Sequence, residues 1–205
     1  MSESQSRRIT LAVTGASGTP YAERLLQCLL DAEFEVHLLV SKAALMVAAV
    51  ETGSPWPGSH EKLHDHLRSR LSQKGTLILA GREDWMSPVA SGSGAPDTMI
   101  VCPCSTGTLA SIATGQCDNL IERGADVVLK EGGRLILVPR ETPYSEIHLR
   151  NMLSLKQAGA HIIPASPGFY HQPKTIEDMV DFVVARVLKA AGVPQALLKP
   201  WGCGD

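Results

Sequence analysis

A run of small residues, Thr14-Gly15-Ala16-Ser17-Gly18, follows the first apolar segment of the sequence. Glycines let a backbone approach an anion closely, and the amino end of a following helix favours negative charge. The run lacks the three glycines of the G-x-G-x-x-G dinucleotide fingerprint and the Gly-Lys-Ser/Thr of a Walker loop. It therefore favours the phosphate of a mononucleotide over NAD or ATP, with an ordinary strand-to-helix turn as the alternative.

A second run, Cys102-Pro103-Cys104-Ser105-Thr106-Gly107-Thr108, contains two cysteines and three hydroxyl side chains. One cysteine pair with a single residue between its members is a poor zinc site, so no metal is expected here. We expect Ser105 and Thr106 to cap a helix, where hydroxyl groups can hydrogen-bond a ring or a phosphate. The polar segment of His60, His64 and His66 favours a solvated helix face, although His60 and His64 have the spacing of metal ligands.

Four cationic residues are scattered along the sequence, and a surface charge is the plain interpretation of each: Arg123, Lys130, Arg140 and Arg186. At about 100° per residue, Arg186 falls beside Met179 at the edge of an apolar helical stripe. It either extends along the protein surface or reaches a buried anion. Tyr170 lies in a Pro- and Gly-containing loop, where its hydroxyl can donate to a phosphate or its ring can simply pack.

Apolar runs alternate with helical patterns along the chain. We predict strands at 9–13, 34–40, 76–79, 98–102, 134–138 and 161–164, and helices at 21–32, 42–51, 61–72, 107–114, 119–130, 146–158 and 175–191. Continuous apolar strands separated by helices predict a mostly parallel sheet with helices on both faces, a Rossmann-like three-layer α/β sandwich. In such folds ligands bind at the carboxyl ends of the strands. Those ends carry Gly15, Ala16, Ser17, Ser41, Ser105, Thr106, Gly107, Thr108, Arg140 and Glu141.

Length, net charge and cysteine content limit the kinds of protein that this chain can be. A length of 205 residues fits one domain, with 1–8 as an N-terminal extension and 192–205 as a C-terminal tail. A net charge of −2 without a basic run argues against nucleic-acid binding, and no apolar run is long enough for a membrane span. The polar start and an odd number of cysteines favour reduced thiols in the cytoplasm: Cys28, Cys102, Cys104, Cys117 and Cys203.

Several motifs taken together, in their order along the chain, resemble one family. They are Thr14 to Gly18 with Tyr21-Ala22, Ser41-Lys42, Ala90 to Ser93, Cys102 to Ala110, Asn119 to Asp126, Val138 to Pro143 and Pro167 to Tyr170. This series resembles the flavin prenyltransferases of the UbiX type, once described as aromatic-acid decarboxylases. Each motif alone is weak, but the series covers about residues 8 to 201.

The resemblance implies a flavoprotein fold and an activity. Members of this family transfer a dimethylallyl group from dimethylallyl phosphate to N5 and C6 of reduced FMN, which closes a fourth ring. The prenylated FMN serves a separate UbiD-type decarboxylase, often in ubiquinone synthesis. The family needs no metal and forms large homo-oligomers, commonly dodecamers, with active sites at subunit interfaces.

The resemblance also implies roles for individual residues. FMN would be held by Gly15, Ala16, Ser17, Ser41, Ser105, Thr106, Gly107, Thr108 and Arg140. Dimethylallyl phosphate would be gripped by Arg123, Lys130, Tyr170 and Arg186. Glu141 would protonate or hydrogen-bond the departing phosphate, Ser17 and Glu51 would assist proton movement, and Trp85 and Ala90 would line the prenyl pocket. The chain departs from many relatives at Gly132-Gly133, where they carry further basic residues.

Three other functions compete with this one. Flavin-dependent cysteine decarboxylases share the fold but carry a Pro-x-Met-Asn-x-x-Met-Trp segment, whereas this chain reads Pro139-Arg140-Glu141-Thr142-Pro143-Tyr144. A non-catalytic FMN-binding protein would leave the cationic set and Tyr170 unexplained. Direct decarboxylation of an aromatic acid finds no acid/base pair committed to it in these motifs.

Overall fold

The computed structural model describes residues 7–198, which form six strands and seven α-helices. The strands are β1 (Arg8–Val13), β2 (Glu35–Val40), β3 (Thr76–Leu79), β4 (Thr98–Cys104), β5 (Arg134–Pro139) and β6 (His161–Ile162). The helices are α1 (Thr19–Asp31), α2 (Lys42–Glu51), α3 (His60–Arg70), α4 (Thr106–Ala113), α5 (Leu120–Lys130), α6 (Glu146–Gln157) and α7 (Ile176–Ala191).

The six strands form one sheet in the order β3-β2-β1-β4-β5-β6, and every pairing is parallel. The chain winds outward from β1 to β3, then crosses to β4 and winds the other way. The strand order therefore reverses between β1 and β4, which is where doubly wound sheets bind ligands. The predicted Rossmann-like α/β sandwich is confirmed.

Each face of the sheet carries its own apolar layer, because neighbouring residues on a strand point to opposite faces. Leu11 and Val13 of β1 belong to a cluster with α1, α2, α3 and α7. Ala12, between them, belongs to a second cluster with α4, α5 and α6. The helices thus lie in two layers on either side of the sheet, and this division decides which side chains one chain can bring together.

Side-chain caps fix the starts of several helices. Ser41 begins α2, Ser105 begins α4, and the Thr175 hydroxyl accepts the Asp178 amide at 3.1 Å to begin α7. The Ser105 cap agrees with the prediction. At α7 the Asp178 carboxylate also accepts the Thr175 amide at 3.0 Å, which completes a capping box. Between residues 7 and 198 no helix is long and apolar enough to cross a bilayer.

Every predicted strand and helix is present with bounds within two residues of the prediction, and two segments carry features that the sequence did not predict. Strand β4 was expected to end at residue 102 but continues to Cys104, because the Pro103 carbonyl accepts the Thr14 amide at 3.2 Å. A shift in register between Val101 and Cys104 accommodates the proline, which has no amide hydrogen to donate. The predicted loop at 81–96 contains a short 3-10 helix, Pro88–Ala90, capped by Ser87.

Candidate functional site

Thr14 joins the ends of β1 and β4 at the point where the strand order reverses. Its hydroxyl donates to the Pro103 carbonyl at 2.9 Å and accepts the Ser105 amide at 2.8 Å. Thr14 is almost fully buried, so these bonds are shielded from water. The two small-residue runs found in the sequence therefore lie side by side at the carboxyl edge of the sheet. A reversal of strand order opens a crevice at this edge in doubly wound sheets, and we call that crevice the cleft.

Gly15 and Ser41 bring the start of α2 against this cleft. The Ser41 amide donates to the Val13 carbonyl at 3.0 Å, and the Ser41 hydroxyl accepts the Ala44 amide at 3.1 Å. A Cβ atom on Gly15 would overlap the Cβ atom of Ala43. Glycine is thus required at position 15 for β1 and α2 to approach this closely.

The carboxylate of Glu51 occupies the amino end of α1. It accepts the Gly18 amide at 3.0 Å and the Thr19 amide at 2.8 Å, and it also bonds the Ser17 hydroxyl. Burial acts to raise the pKa of Glu51, but these hydrogen bonds outweigh it and leave the pKa below its ordinary value. Glu51 is therefore ionised at neutral pH beside the exposed Ser17.

The position of Glu51 bears directly on the predicted role of the Gly15 to Ser17 loop. The loop was expected to hold a cofactor phosphate on the amides that begin α1. The Glu51 carboxylate already accepts hydrogen bonds from those amides, and its negative charge would repel a phosphate at the same position. Gly15, Ala16 and Ser17 still line the cleft, so they can contact an uncharged part of a ligand.

The first turn of α4 offers the cleft another anion-binding end. The Ser105 hydroxyl accepts the Thr108 amide at 3.3 Å and donates to the Thr108 hydroxyl at 3.0 Å. The Thr106 and Gly107 amides precede the first bond within the helix, and the space beside Gly107 is open. An anion placed there would meet unpaired amides and the positive end of the helix dipole.

Arg140 and Glu141 follow β5 at the same edge of the sheet. The Arg140 Nε atom is buried and has no hydrogen-bond partner within residues 7–198. A buried guanidinium N–H without an acceptor is costly, so this atom is suited to an acceptor on a ligand. The Glu141 carboxylate accepts the amide of the neighbouring Thr142 at 3.0 Å.

Tyr144 adds a hydroxyl to this corner, which the sequence analysis had not assigned. Burial raises the pKa of its phenol, the Glu141 carboxylate raises it further, and the Arg140 guanidinium acts in the opposite direction. The sequence did not indicate that Tyr144 lies near Arg140, because residue types do not reveal the turn at Thr142-Pro143, whose peptide bond is cis.

Tyr170 packs on α7, the helix that carries Arg186. The Tyr170 ring lies edge-on to the Phe182 ring, with centroids 5.5 Å apart and planes at 74°. Arg186 is one turn beyond Phe182 and is exposed. Arg24 of α1 holds this helix through the Asp181 carboxylate, with N–O distances of 2.6 and 3.0 Å. Tyr170 and Arg186 therefore belong to one unit on the outer surface of α7.

Arg123 and Lys130 of α5 form a separate group with Ala90 of the connecting segment. Arg123 donates to the Ala90 carbonyl at 3.2 Å and pairs with Asp126 at 2.8 Å. Lys130, the last residue of α5, pairs with Glu131 and approaches the backbone of Gly92. Trp85, in the same connecting segment as Ala90, is 47% exposed.

The structure does not bring all the predicted phosphate-binding residues together within one chain. Helix α5 covers one face of the sheet and α7 covers the other. Lys130 also lies at the amino edge, just before β5 begins, and Arg186 lies only about 7.5 Å along α7 from Ala191 at that same edge. Arg140 and Glu141 directly follow β5 and therefore lie with the hydroxyl residues at the carboxyl edge.

A cavity of about 1050 Å³ opens at that amino edge, away from the candidate site. Its arginines are engaged in structural bonds: Arg134 donates to the Ala191 carbonyl at 2.7 Å and Arg8 to the Gly94 carbonyl at 3.2 Å. Size alone therefore does not make it the site, and the convergent hydroxyl groups with the unpaired Arg140 nitrogen favour the carboxyl edge.

The described cysteines are free thiols: Cys28, Cys102, Cys104 and Cys117. Burial raises the pKa of Cys104 to about 12 and raises that of Cys102 still further, so neither is a thiolate at neutral pH. Cys203 lies outside the described residues. Within 7–198, no three His, Cys, Asp or Glu side chains are grouped as metal ligands.

Comparisons with known proteins agree with this architecture. Residues 1–188 match the family model described as Flavoprotein. A Pseudomonas aeruginosa protein named flavin prenyltransferase UbiX is 56% identical over 196 residues, which are 95% of this chain and 94% of that one.

Two solved structures share the fold over nearly their whole length. AnUbiX (PadA1), in complex with FMN and dimethylallyl pyrophosphate, has a TM-score of 0.84 and 41% identity, covering 97% of this chain and 99% of its own. A dodecameric FMN-dependent Ubix-like decarboxylase from Escherichia coli O157:H7 has a TM-score of 0.79 and 41% identity, covering 91% and 95%.

Proposed function

Because this chain belongs to the UbiX family of flavin prenyltransferases, we propose that it transfers a dimethylallyl group from a dimethylallyl phosphate ester to N5 and C6 of reduced FMN. The identity of 56% over 95% of the chain carries this conclusion. It favours prenyl transfer over the cysteine decarboxylase and over a non-catalytic flavin carrier, which were the open alternatives.

The carboxyl-edge cleft fits FMN as its bound substrate. The α4 first turn, with Ser105, Thr106, Gly107 and Thr108, would hold the phosphate group, because its amides are unpaired and Gly107 faces open space. The buried Arg140 Nε atom would donate to an acceptor on the flavin nucleotide. Gly15, Ala16, Ser17 and Ser41 would contact its uncharged parts. Reduced FMN supplies the nitrogen and carbon nucleophiles of the reaction.

Ser17 and Glu51 would move a proton at the cleft. The Glu51 carboxylate is kept ionised by its hydrogen bonds, so it can accept a proton through the Ser17 hydroxyl that it already bonds. Glu141, beside Arg140, would donate a proton or hydrogen bond to the departing phosphate. The base and the acid would therefore come from different elements, since Glu51 ends α2 and Glu141 follows β5.

The donor phosphate would be bound by cations from more than one copy of the chain. Arg123 and Lys130 lie on the layer opposite Tyr170 and Arg186, so one chain cannot direct all four side chains at one phosphate. We infer that neighbouring copies supply the two groups to a shared site. Several cations around one phosphate stabilise the charge that develops as it leaves.

Trp85 and Ala90 would line the prenyl pocket in the same composite site. The Trp85 indole face can stabilise a developing allyl cation, and its exposure leaves that face available. Met46, Val50 and Met86 are also large apolar side chains that are strongly exposed, as expected of a subunit interface. A homo-oligomer, and by analogy with the E. coli relative a dodecamer, fits these observations.

Prenylated FMN must leave the site to be used elsewhere, so we infer a UbiD-type decarboxylase as its recipient. The free thiols of the described cysteines fit a reducing cytoplasmic setting.

Release of inorganic phosphate tests the proposed function against its rivals. The protein is incubated without oxygen with reduced FMN and, in separate samples, dimethylallyl phosphate, dimethylallyl pyrophosphate, a peptide ending in cysteine or an aromatic acid. We expect release of phosphate or pyrophosphate that requires reduced FMN, and no CO₂ from either acid. CO₂ release from the peptide or the aromatic acid, with both donors intact, would refute prenyl transfer.

A further inference from the structure

Three aromatic rings pack together where the 163–175 segment meets α7. The His171 imidazole is stacked on Phe182, with centroids 5.2 Å apart and planes at 18°. Tyr170 stands edge-on to both rings, 5.5 Å from Phe182 at 74° and 6.1 Å from His171 at 78°. Stacked and edge-on pairs at these distances are favourable arrangements for aromatic side chains, so the rings fix one another's orientation.

The backbone around these rings is closely fitted to them. A Cβ atom on Gly168 would lie 3.0 Å from the Tyr170 ring and 3.1 Å from the Phe182 ring. Gln172 adopts a φ of 53°, and its amide donates to the Phe169 carbonyl at 2.9 Å, which closes the turn. Tyr170 remains 58% exposed, although one side of its ring packs against Phe182.

The imidazole acts on this cluster through its ring faces. Both of its nitrogen atoms are buried and neither has a hydrogen-bond partner within the described chain. A side chain that bonded Tyr170 through nitrogen would show such a partner. His171 therefore influences its neighbours through ring contacts, by stacking on Phe182 and by its edge-on contact with Tyr170.

We propose that His171 is a positioning residue for Tyr170, whose hydroxyl it holds at the donor-phosphate end of the site by stacking on Phe182. This inference rests on the proposed function for the role of Tyr170, but the orientation of the ring is a property of the protein alone. The stacked imidazole leaves the phenol few alternative rotamers, so less freedom is lost when the phosphate binds.

Variants that separate ring shape from ring nitrogen test the proposal in steady-state kinetics. His171→Ala should lower kcat/KM for the donor about tenfold while the FMN Kd changes less than about twofold. His171→Phe should stay within about threefold of the parent protein, because it preserves the stacked ring. In a Tyr170→Phe background, His171→Ala should have little further effect, since the hydroxyl it positions is gone.

Fluorine NMR reports the ring orientation without depending on catalysis. The chain has three tyrosines, so 3-fluorotyrosine labelling gives three signals, and Tyr170→Phe identifies the one from position 170. We expect His171→Ala to shift and broaden that signal alone, with His171→Phe retaining a single sharp line. His64→Ala, in the polar helix α3, is the matched histidine control and should change nothing.

Three results would overturn the proposal: an unchanged Tyr170 signal in His171→Ala, equal losses with and without the Tyr170 hydroxyl, or equal damage from His171→Phe and His171→Ala. A parent protein that transfers no prenyl group would refute the proposed function instead, and the fluorine spectra would still decide the role of His171. If His171→Ala does not fold, the kinetics and the fluorine spectrum of His171→Phe are compared with those of the parent protein instead.

Discussion

Glu51, the last residue of α2, closes the amino end of α1 by accepting the Gly18 amide at 3.0 Å. The two residues are 33 positions apart, and their contact decides what the first loop can bind. Because a carboxylate already accepts the amides at this helix end, we propose that the phosphate binds at the start of α4 instead. The ionised Glu51 carboxylate lies beside the Ser17 hydroxyl of this loop. This arrangement suits proton transfer better than anion binding.

Removing the Glu51 carboxylate should harm both stability and activity. Glu51→Ala leaves the Gly18 and Thr19 amides without their acceptor, and a lost helix cap costs about 1 kcal/mol of unfolding free energy. Prenyl transfer should fall at least about a hundredfold if Glu51 is the base, while FMN binding persists. Urea unfolding and product formation measure the two effects, with Glu61→Ala on the exposed face of α3 as control.

The same carboxylate gives a pH dependence whose sign is fixed. The pKa of Glu51 is lower in the folded protein than in the unfolded chain, so its contribution to stability is present above the unfolded value. It is lost as the pH falls from about 4 through the folded pKa. In Glu51→Gln, the free energy of unfolding should therefore fall less steeply as the pH is lowered below about 4. The same loss of unfolding free energy at acid pH in the variant and in the parent protein would contradict this.

Arg140 should matter to FMN but not to the fold. Arg140→Met removes a buried N–H that has no partner, so the free protein should be as stable as the parent or more so. The FMN Kd should rise at least about tenfold, because the ligand loses a charge-assisted hydrogen bond. Titration calorimetry and thermal unfolding check the two halves. Arg150→Met, on the exposed surface of α6, should alter neither; a large loss of stability in Arg140→Met would assign Arg140 to the fold.

Tyr170→Phe should separate donor binding from flavin binding. The phenylalanine keeps the edge-on contact with Phe182 but loses the hydroxyl proposed to bind the phosphate. We expect kcat/KM for the donor to fall about tenfold or more, with FMN retention close to that of the parent protein. Equal losses of FMN in Tyr170→Phe and Arg140→Met would contradict the division of roles between these residues.

Mixing variants tests whether neighbouring copies complete the site. Lys130→Ala and Arg186→Ala should each be inactive alone, because each removes one cation from every donor site. If the two residues meet only across a subunit boundary, co-assembled equal amounts should regain about a quarter of the parent activity. If both belong to the same chain's site, every site in the mixture carries a defect and no activity returns.

The local parts of this fold were predictable and the long-range parts were not. Ser105 and Thr175 begin helices because a hydroxyl before an apolar periodic segment pairs with an amide three residues on. Apolar strands separated by helices predicted the parallel sheet for a similar local reason. The contact between Glu51 and Gly18 depends on how α2 packs beside α1, which no residue spacing encodes.

The candidate site shows the same limit. Arg140 was predictable because it directly follows an apolar strand, and every such end lies at one edge of a parallel sheet. Lys130 was grouped with Arg186 by resemblance, yet the length of α5 carries Lys130 toward the opposite edge and onto a different layer from Arg186. A linear motif states which residues occur together, whereas the layers decide whether one chain or several must supply them.

The mass of the flavin tests the central claim most directly. Protein, reduced FMN and dimethylallyl phosphate are incubated without oxygen, and the flavin is released and weighed by mass spectrometry. We expect FMN heavier by one five-carbon prenyl unit, formed at least about a hundredfold more slowly by the Glu51→Ala protein. Flavin of unchanged mass after long incubation with folded, FMN-bound protein, and with dimethylallyl pyrophosphate equally inert, would contradict it.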